Sequence, residues 1–152
     1  MRLFVIIPVA LAVAATVALA VYARSYQMRP EVWHVDPGEG PEPTGRNVFV
    51  LRGEAAPRLA GSPTEVAARL DAAARAEGAR PIAGDYESGF VTYVARSRLF
   101  GFPDAISIRL HGEGEATRVD ILSRSAMGES DFGVNEARVR RWIAAAEADA
   151  AS

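Results

Sequence analysis

Between Leu3 and Tyr22 the chain carries no charge, and Thr16 is the one polar residue among Val, Ile, Leu, Ala and Phe. Such a run has few structural options. In hydrocarbon only a helix satisfies its backbone from within. Twenty residues at about 1.5 Å each give roughly the 30 Å of a bilayer's apolar core. Pro8 lies near the start, where a missing N–H costs least, and Tyr22 and Tyr26 stand where interfacial aromatics are expected. The rival reading is a cleaved signal peptide, with small-residue sites at 18–20 and 21–23. The apolar run exceeds the roughly 7–15 residues of a signal core, so the expectation is an uncleaved anchor over residues 1–24. Arg2 flanks one side and Arg24 and Arg29 the other, which orients the span weakly. The short leading segment favours a cytoplasmic N-terminus, giving a single-pass inner-membrane protein with a periplasmic domain.

The 152 residues leave room for one ordinary domain beyond that segment. A net charge of -2 lacks the basic surplus of a nucleic-acid binder. With no cysteine, disulfides, thiolate catalysis and lipid-modified cysteine anchors are excluded.

Residues 36–45 (DPGEGPEPTG) hold three prolines and three glycines and read as part of an extended linker over residues 25–46. The domain is expected over 47–150. It opens with a short strand at 47–51, followed by an irregular stretch at 53–61. Ser62-Pro63-Thr64-Glu65 is a capping box, opening a helix with Val66, Leu70 and Ala73 on one face and closed by Gly78. Glu65–Arg69 and Asp71–Arg75 have the spacing of surface ion pairs. Strands are predicted at 90–97, 105–111 and 117–125, with a further short one around Pro81. Ile106, Ile108 and Leu110 alternate with Ser107, Arg109 and His111, and a Gly-Glu-Gly-Glu turn joins the last two strands. A closing helix from about Asn135 aligns Val139, Trp142, Ile143 and Ala146. The order implies an α+β two-layer domain, an antiparallel sheet of four to five strands with two helices on one face.

The densest polar segment, residues 123–135 (SRSAMGESDFGVN), runs from a strand through a glycine-punctuated turn into that helix. Together with residues 99–104 (LFGFPD) and Trp33-His34-Val35-Asp36-Pro37, it resembles the domain of unknown function 1499 family of bacterial proteins. The resemblance spans roughly the whole region after the apolar segment and implies no reaction. Relatives often carry arginine at the position of Ala126 and a basic residue near Glu129, and this chain departs at both.

The candidate ligand-binding set is Arg96, Arg98, Asp104, Arg124, Ser125, Ser130, Asp131 and Asn135. Asp131 and Asn135 stand at a helix entrance, where free N–H groups accept anionic or amide partners. The alternative is structural: Asp131 or Ser130 caps the helix while Asn135 ties the turn to the sheet. Arg96 and Arg98 are placed to pair with Asp104 or Asp131, or with Arg124 to hold an anionic ligand such as a lipid headgroup. Phe100 and Phe102 form either a hydrophobic lip or a plug at the end of the core. Arg138, Arg140 and Arg141 make the closing helix locally basic, with a solvated face as the default.

His34 and His111 are the only histidines, and no metal-ligand spacing surrounds them. A triad of Ser123 or Ser125 with His111 and Asp104 lacks any nucleophile-elbow motif, and no phosphate-loop or dinucleotide pattern is present. No catalytic residue, metal or cofactor is assigned. The leading expectation is a non-catalytic, membrane-anchored envelope module binding a small anionic molecule or lipid. The alternatives are a protein-interaction subunit of an envelope assembly and a hydrolase without a recognisable motif.

Overall fold

The computed structural model describes residues 2–39 and 45–151. Residues 40–44, at the middle of the Pro/Gly-rich stretch, lie outside the described residues. Helix α1 (Arg2–Ser25) comes first. Its segment Ile6–Ser25 has a mean hydropathy of 2.4 and is long and apolar enough to cross a membrane, as an anchor or a signal sequence would be. A one-turn helix α2 (Pro30–Trp33) follows.

Beyond it stand β1 (Val48–Leu51), β2 (Arg58–Ala60), α3 (Pro63–Ala76), β3 (Arg80–Asp85), β4 (Phe90–Arg96), β5 (Pro103–Glu113), β6 (Ala116–Ser125) and α4 (Val134–Ala148). The sheet is antiparallel, in the order β1-β6-β5-β4-β3, and β2 pairs with β6 on the same edge as β1. The α+β expectation holds, with six strands rather than four or five. The extra strand, β2, comes from the stretch read as irregular. Three residues between Pro57 and Gly61 carry little local signal, and long β6 supplies their hydrogen-bonding edge. Pro81 is accommodated because β3 is the opposite edge.

Helix α3 begins as its capping box requires. Ser62 Oγ accepts from Glu65 N, and the Glu65 carboxylate accepts from Ser62 N at 2.8 Å. At its end Gly78, with φ of 80°, lets Ala79 N reach Ala74 O at 3.0 Å while Gly78 N reaches Arg75 O at 2.9 Å. Asp71 pairs with Arg75 at 2.6 Å as its spacing implies. Arg69 instead donates to carbonyls of Glu65, Ala60 and Ala146, which lie within its reach where α3 meets α4.

Helices α3 and α4 cover one face of the sheet. Val66 and Leu70 of α3 and Val139 and Trp142 of α4 meet Val91, Tyr93, Ile106, Ile108, Val119 and Ile121. Trp142 and Tyr93 touch edge to face, 5.7 Å between centroids. The alternation read in β5 is the observed one.

The opposite face is polar, presenting Thr92, Ser107, Arg109, His111, Asp120 and Arg124, and residues 26–38 run across it as a strap. His34 stacks on Phe90 at 3.9 Å and its Nδ1 meets Thr92 Oγ1 at 2.8 Å. Thr92 Oγ1 in turn meets Ser107 Oγ at 2.8 Å. The Trp33 carbonyl accepts from Arg124 at 3.1 Å, and Asp36 is paired with Arg109. This part of the stretch expected as a linker is thus bonded to the sheet. Of the polar residues that leave β4, β5 and β6 one-sided, Thr92, Ser107, Arg109 and Arg124 are its partners.

Candidate functional site

Strand parity places Asp104, Ile106, Ile108 and Leu110 of β5 on the helix side, and on β6 Val119, Ile121, Ser123 and Ser125. At the end where β5 begins and β6 ends, the apolar core therefore gives way to Asp104, Ser123 and Ser125. Helix α4 answers with Asn135 and Arg138, one turn apart on the stripe that continues to Trp142.

The result is a closed buried network. Arg138 pairs with Asp104 Oδ2 at 2.9 Å, and both are nearly inaccessible to water. Ser125 donates to Asp104 Oδ1 at 2.6 Å. Asn135 Oδ1 accepts from Ser123 at 2.5 Å and from Arg138 at 3.2 Å. Its amide nitrogen donates to Ser125 Oγ at 3.0 Å and to the Asn47 carbonyl at 3.3 Å. Asp131 accepts from Gly133 N at 3.0 Å and Asn135 N at 2.9 Å, holding the entrance of α4 from outside the helix. Ser130 Oγ accepts from Phe132 N at 3.3 Å.

The structure thus brings together Asp104, Ser125, Ser130, Asp131 and Asn135, and sends the three expected arginines elsewhere. Arg96 has the parity of the strap face. It donates to Ala23 O at 2.8 Å, Tyr26 O at 2.7 Å and Gly101 O at 3.0 Å, so it clamps the end of α1 rather than pairing with Asp104 or Asp131. Arg98 is exposed in the turn after β4. Arg124 lies under the strap with its guanidinium 5.0 Å over the Trp33 ring, and burial lowers its pKa. The cation at Asp104 is Arg138, expected on a solvated face. Its place three residues after Asn135, on the stripe of Val139 and Trp142, is the signal that marks it as buried.

The histidines also lie away from this network. His111 is on the strap face, its Nε2 3.1 Å from buried Asp120, in an open groove with Asp36, Arg52 and Arg118. That face is separated by the sheet from Ser125 and Asp104, so no triad forms with them. Cross-strand position created the His111–Asp120 pair; the hairpin register sets it.

Beside the network is a cavity of about 280 Å³, lined by Phe102, Met127, Phe132 and Val134 with Asp104 and Ser125 among its polar groups. Phe100 and Phe102 stack at 5.4 Å, and Phe102 forms part of the wall.

Fold and site together define an α+β domain joined to an apolar N-terminal helix, with a buried charged network and a small apolar-walled cavity at one end of its sheet. The family model for DUF1499, described as a protein of unknown function, matches residues 46–145. The chain belongs to that family. No curated protein matches the chain. Among solved structures it is similar to the crystal structure of the adenylate sensor from AMP-activated protein kinase in complex with 5-aminoimidazole-4-carboxamide 1-beta-D-ribofuranotide. The identity is 10%, the TM-score 0.48, and the match covers 62% of this chain and 97% of that chain. A likeness at that level says nothing of ligand or activity.

Proposed function

We propose that this chain is a membrane-tethered, non-catalytic binding module whose cavity beside the α4 entrance takes the apolar part of a small amphiphile. In this reading α1 is an uncleaved inner-membrane anchor and the domain stands on the exported side.

The observation that carries the proposal is the pairing of an apolar-walled cavity with a polar floor whose groups are already committed. Phe102, Met127, Phe132 and Val134 offer surface suited to an acyl chain. Both oxygens of Asp104 are engaged, by Ser125 and by Arg138, and Ser125 also accepts from Asn135. A hydrolase would need the hydroxyl beside a base free to take its proton, and here the carboxylate next to Ser125 is held in an ion pair. The floor therefore orients and supports rather than reacts. Arg96 and Arg124 are bound to the strap and the end of α1, so recognition rests on the apolar portion of the ligand.

A fluorescent fatty acid, titrated into the full-length protein in detergent, tests this. Saturable binding that is lost in a Met127→Trp variant of unchanged circular dichroism supports the cavity. Equal binding by both proteins, or none by either, overturns it. Native mass spectrometry of protein from its own membrane should then show a lipid-sized mass. A stoichiometric second protein on an empty cavity would instead make the chain an assembly subunit.

A further inference from the structure

The end of the sheet that carries the cavity also carries the domain's most exposed apolar side chains. Phe132 is 94% exposed, Leu99 73% and Val134 46%. Single exposed apolar residues are ordinary. Here Phe132 and Val134 rim one cavity, and Leu99 belongs to the loop (residues 97–102) whose ends, Ser97 and Phe102, form another part of its wall.

Phe132 is also held outward. It is the one non-glycine residue among the described residues with positive φ, 53°, a conformation that is costly for a bulky side chain. Ser130 and Asp131 fix that conformation by accepting from the N–H groups of Phe132 and Gly133.

The loop bearing Leu99 is bonded to the end of α1. Arg24 donates to the Leu99 carbonyl at 2.7 Å, and Arg96 ties Gly101 O to Ala23 O and Tyr26 O. Gly101 makes the approach close. At φ of 79°, an added Cβ there would stand 2.5 Å from Arg24 Cγ. The Leu99 loop therefore sits level with residues 23–24, where the apolar run ends. Exposed Arg24 and Arg98 stand at the same level, suited to anionic headgroups. The β5–β6 hairpin, with Glu113 and Glu115, is at the other end of β5, whose 11 residues put it roughly 35 Å away.

We infer that the lip of Leu99, Phe132 and Val134 seats in the surface of the bilayer that α1 enters, so that the cavity draws its ligand from the membrane's own acyl chains. The inference rests on the proposed anchor and cavity, and it adds the source of the ligand. α1 brings the lip to the interface, the clamp fixes its orientation, and the strained turn presents Phe132 to lipid.

The absence of cysteine makes single labelling sites clean. Full-length Phe132→Cys, Leu99→Cys and Glu115→Cys proteins, each carrying an environment-sensitive fluorophore, are reconstituted in vesicles of phosphatidylcholine and phosphatidylglycerol. Labels at 132 and 99 are expected to emit at shorter wavelength and to be quenched several-fold more by nitroxide-bearing lipid than the label at 115. Quenching equal at all three sites overturns the inference. So does a blue shift at 132 that nitroxide lipid leaves untouched, the result expected for a protein partner on the lip. Fatty-acid binding in detergent is measured on the unlabelled protein. If it persists without lipid quenching, the cavity stands and its membrane supply falls. If quenching appears without fatty-acid binding, the lip is docked and the cavity reading falls.

Discussion

Asp104 is a carboxylate buried at the edge of an apolar core, and Arg138 is what makes that burial tolerable. Removing one member of such a pair leaves an uncompensated charge, whereas replacing both with apolar groups often restores stability. Arg138→Met should destabilise the domain by about 3–5 kcal/mol, read as a lower urea midpoint in detergent at unchanged slope. Arg138→Met combined with Asp104→Leu should regain much of that loss. The pair shows how far local sequence reasoning reaches. Ser125, Asp131 and Asn135 stand out because hydroxyl, carboxylate and amide cluster at a helix entrance. Arg138 does not, because in a run with Arg140 and Arg141 it looks like one cation of a wet face. Only combining helix phase with strand parity, Asn135 to Trp142 on one side and Asp104 to Ile108 on the other, brings it to the carboxylate.

Elements with strong local signals are those the sequence reveals. Helix α3 begins at a Ser-Pro-Thr-Glu box and is expected to lose about 1 kcal/mol in Ser62→Ala through the missing cap, a shift in thermal midpoint that Ser62→Asp should largely avoid. β5 and β6 alternate and share a glycine turn. β2 has no such signature, since its pairing depends on β6, more than fifty residues later. The strap was hidden for a related reason. Residues 26–38 have neither period, and their order comes from side chains offered by three strands. Arg96 is the clearest case, a strand-end arginine whose partners are the Ala23 and Tyr26 carbonyls at the end of α1 and the Gly101 carbonyl of the loop beside it. Arg96→Ala removes three donated bonds. Amide exchange at residues 23–28 and 97–102 should accelerate at least about tenfold, while the β5–β6 hairpin keeps its protection.

At the scale of the whole molecule, the position of the domain relative to α1 depends on how the strap lies on the sheet, and the strap contains one histidine. Burial between Phe90 and Thr92 lowers the His34 pKa below its usual 6.5, nearby Arg109 lowers it further, and Asp36 opposes them. The neutral imidazole is therefore the form that fits the docked strap. A released strap binds the proton more readily, so docking is fully stabilised above pH 6.5 and weakens as pH falls through the lowered value. Lowering pH from ~7.5 to ~5 should reduce amide protection factors, the intrinsic base-catalysed exchange rates divided by the observed ones, across residues 33–36 while the α3 and β6 core keeps its protection. Loosening should start at His34 and spread toward Trp33. His34→Gln keeps a hydrogen-bonding group opposite Thr92 but cannot titrate, and the protection factors of its strap should be nearly independent of pH. Equal pH dependence in both proteins would move the switch away from His34. If the dependence is lost, one imidazole couples proton concentration to the hold between the domain and its apolar helix.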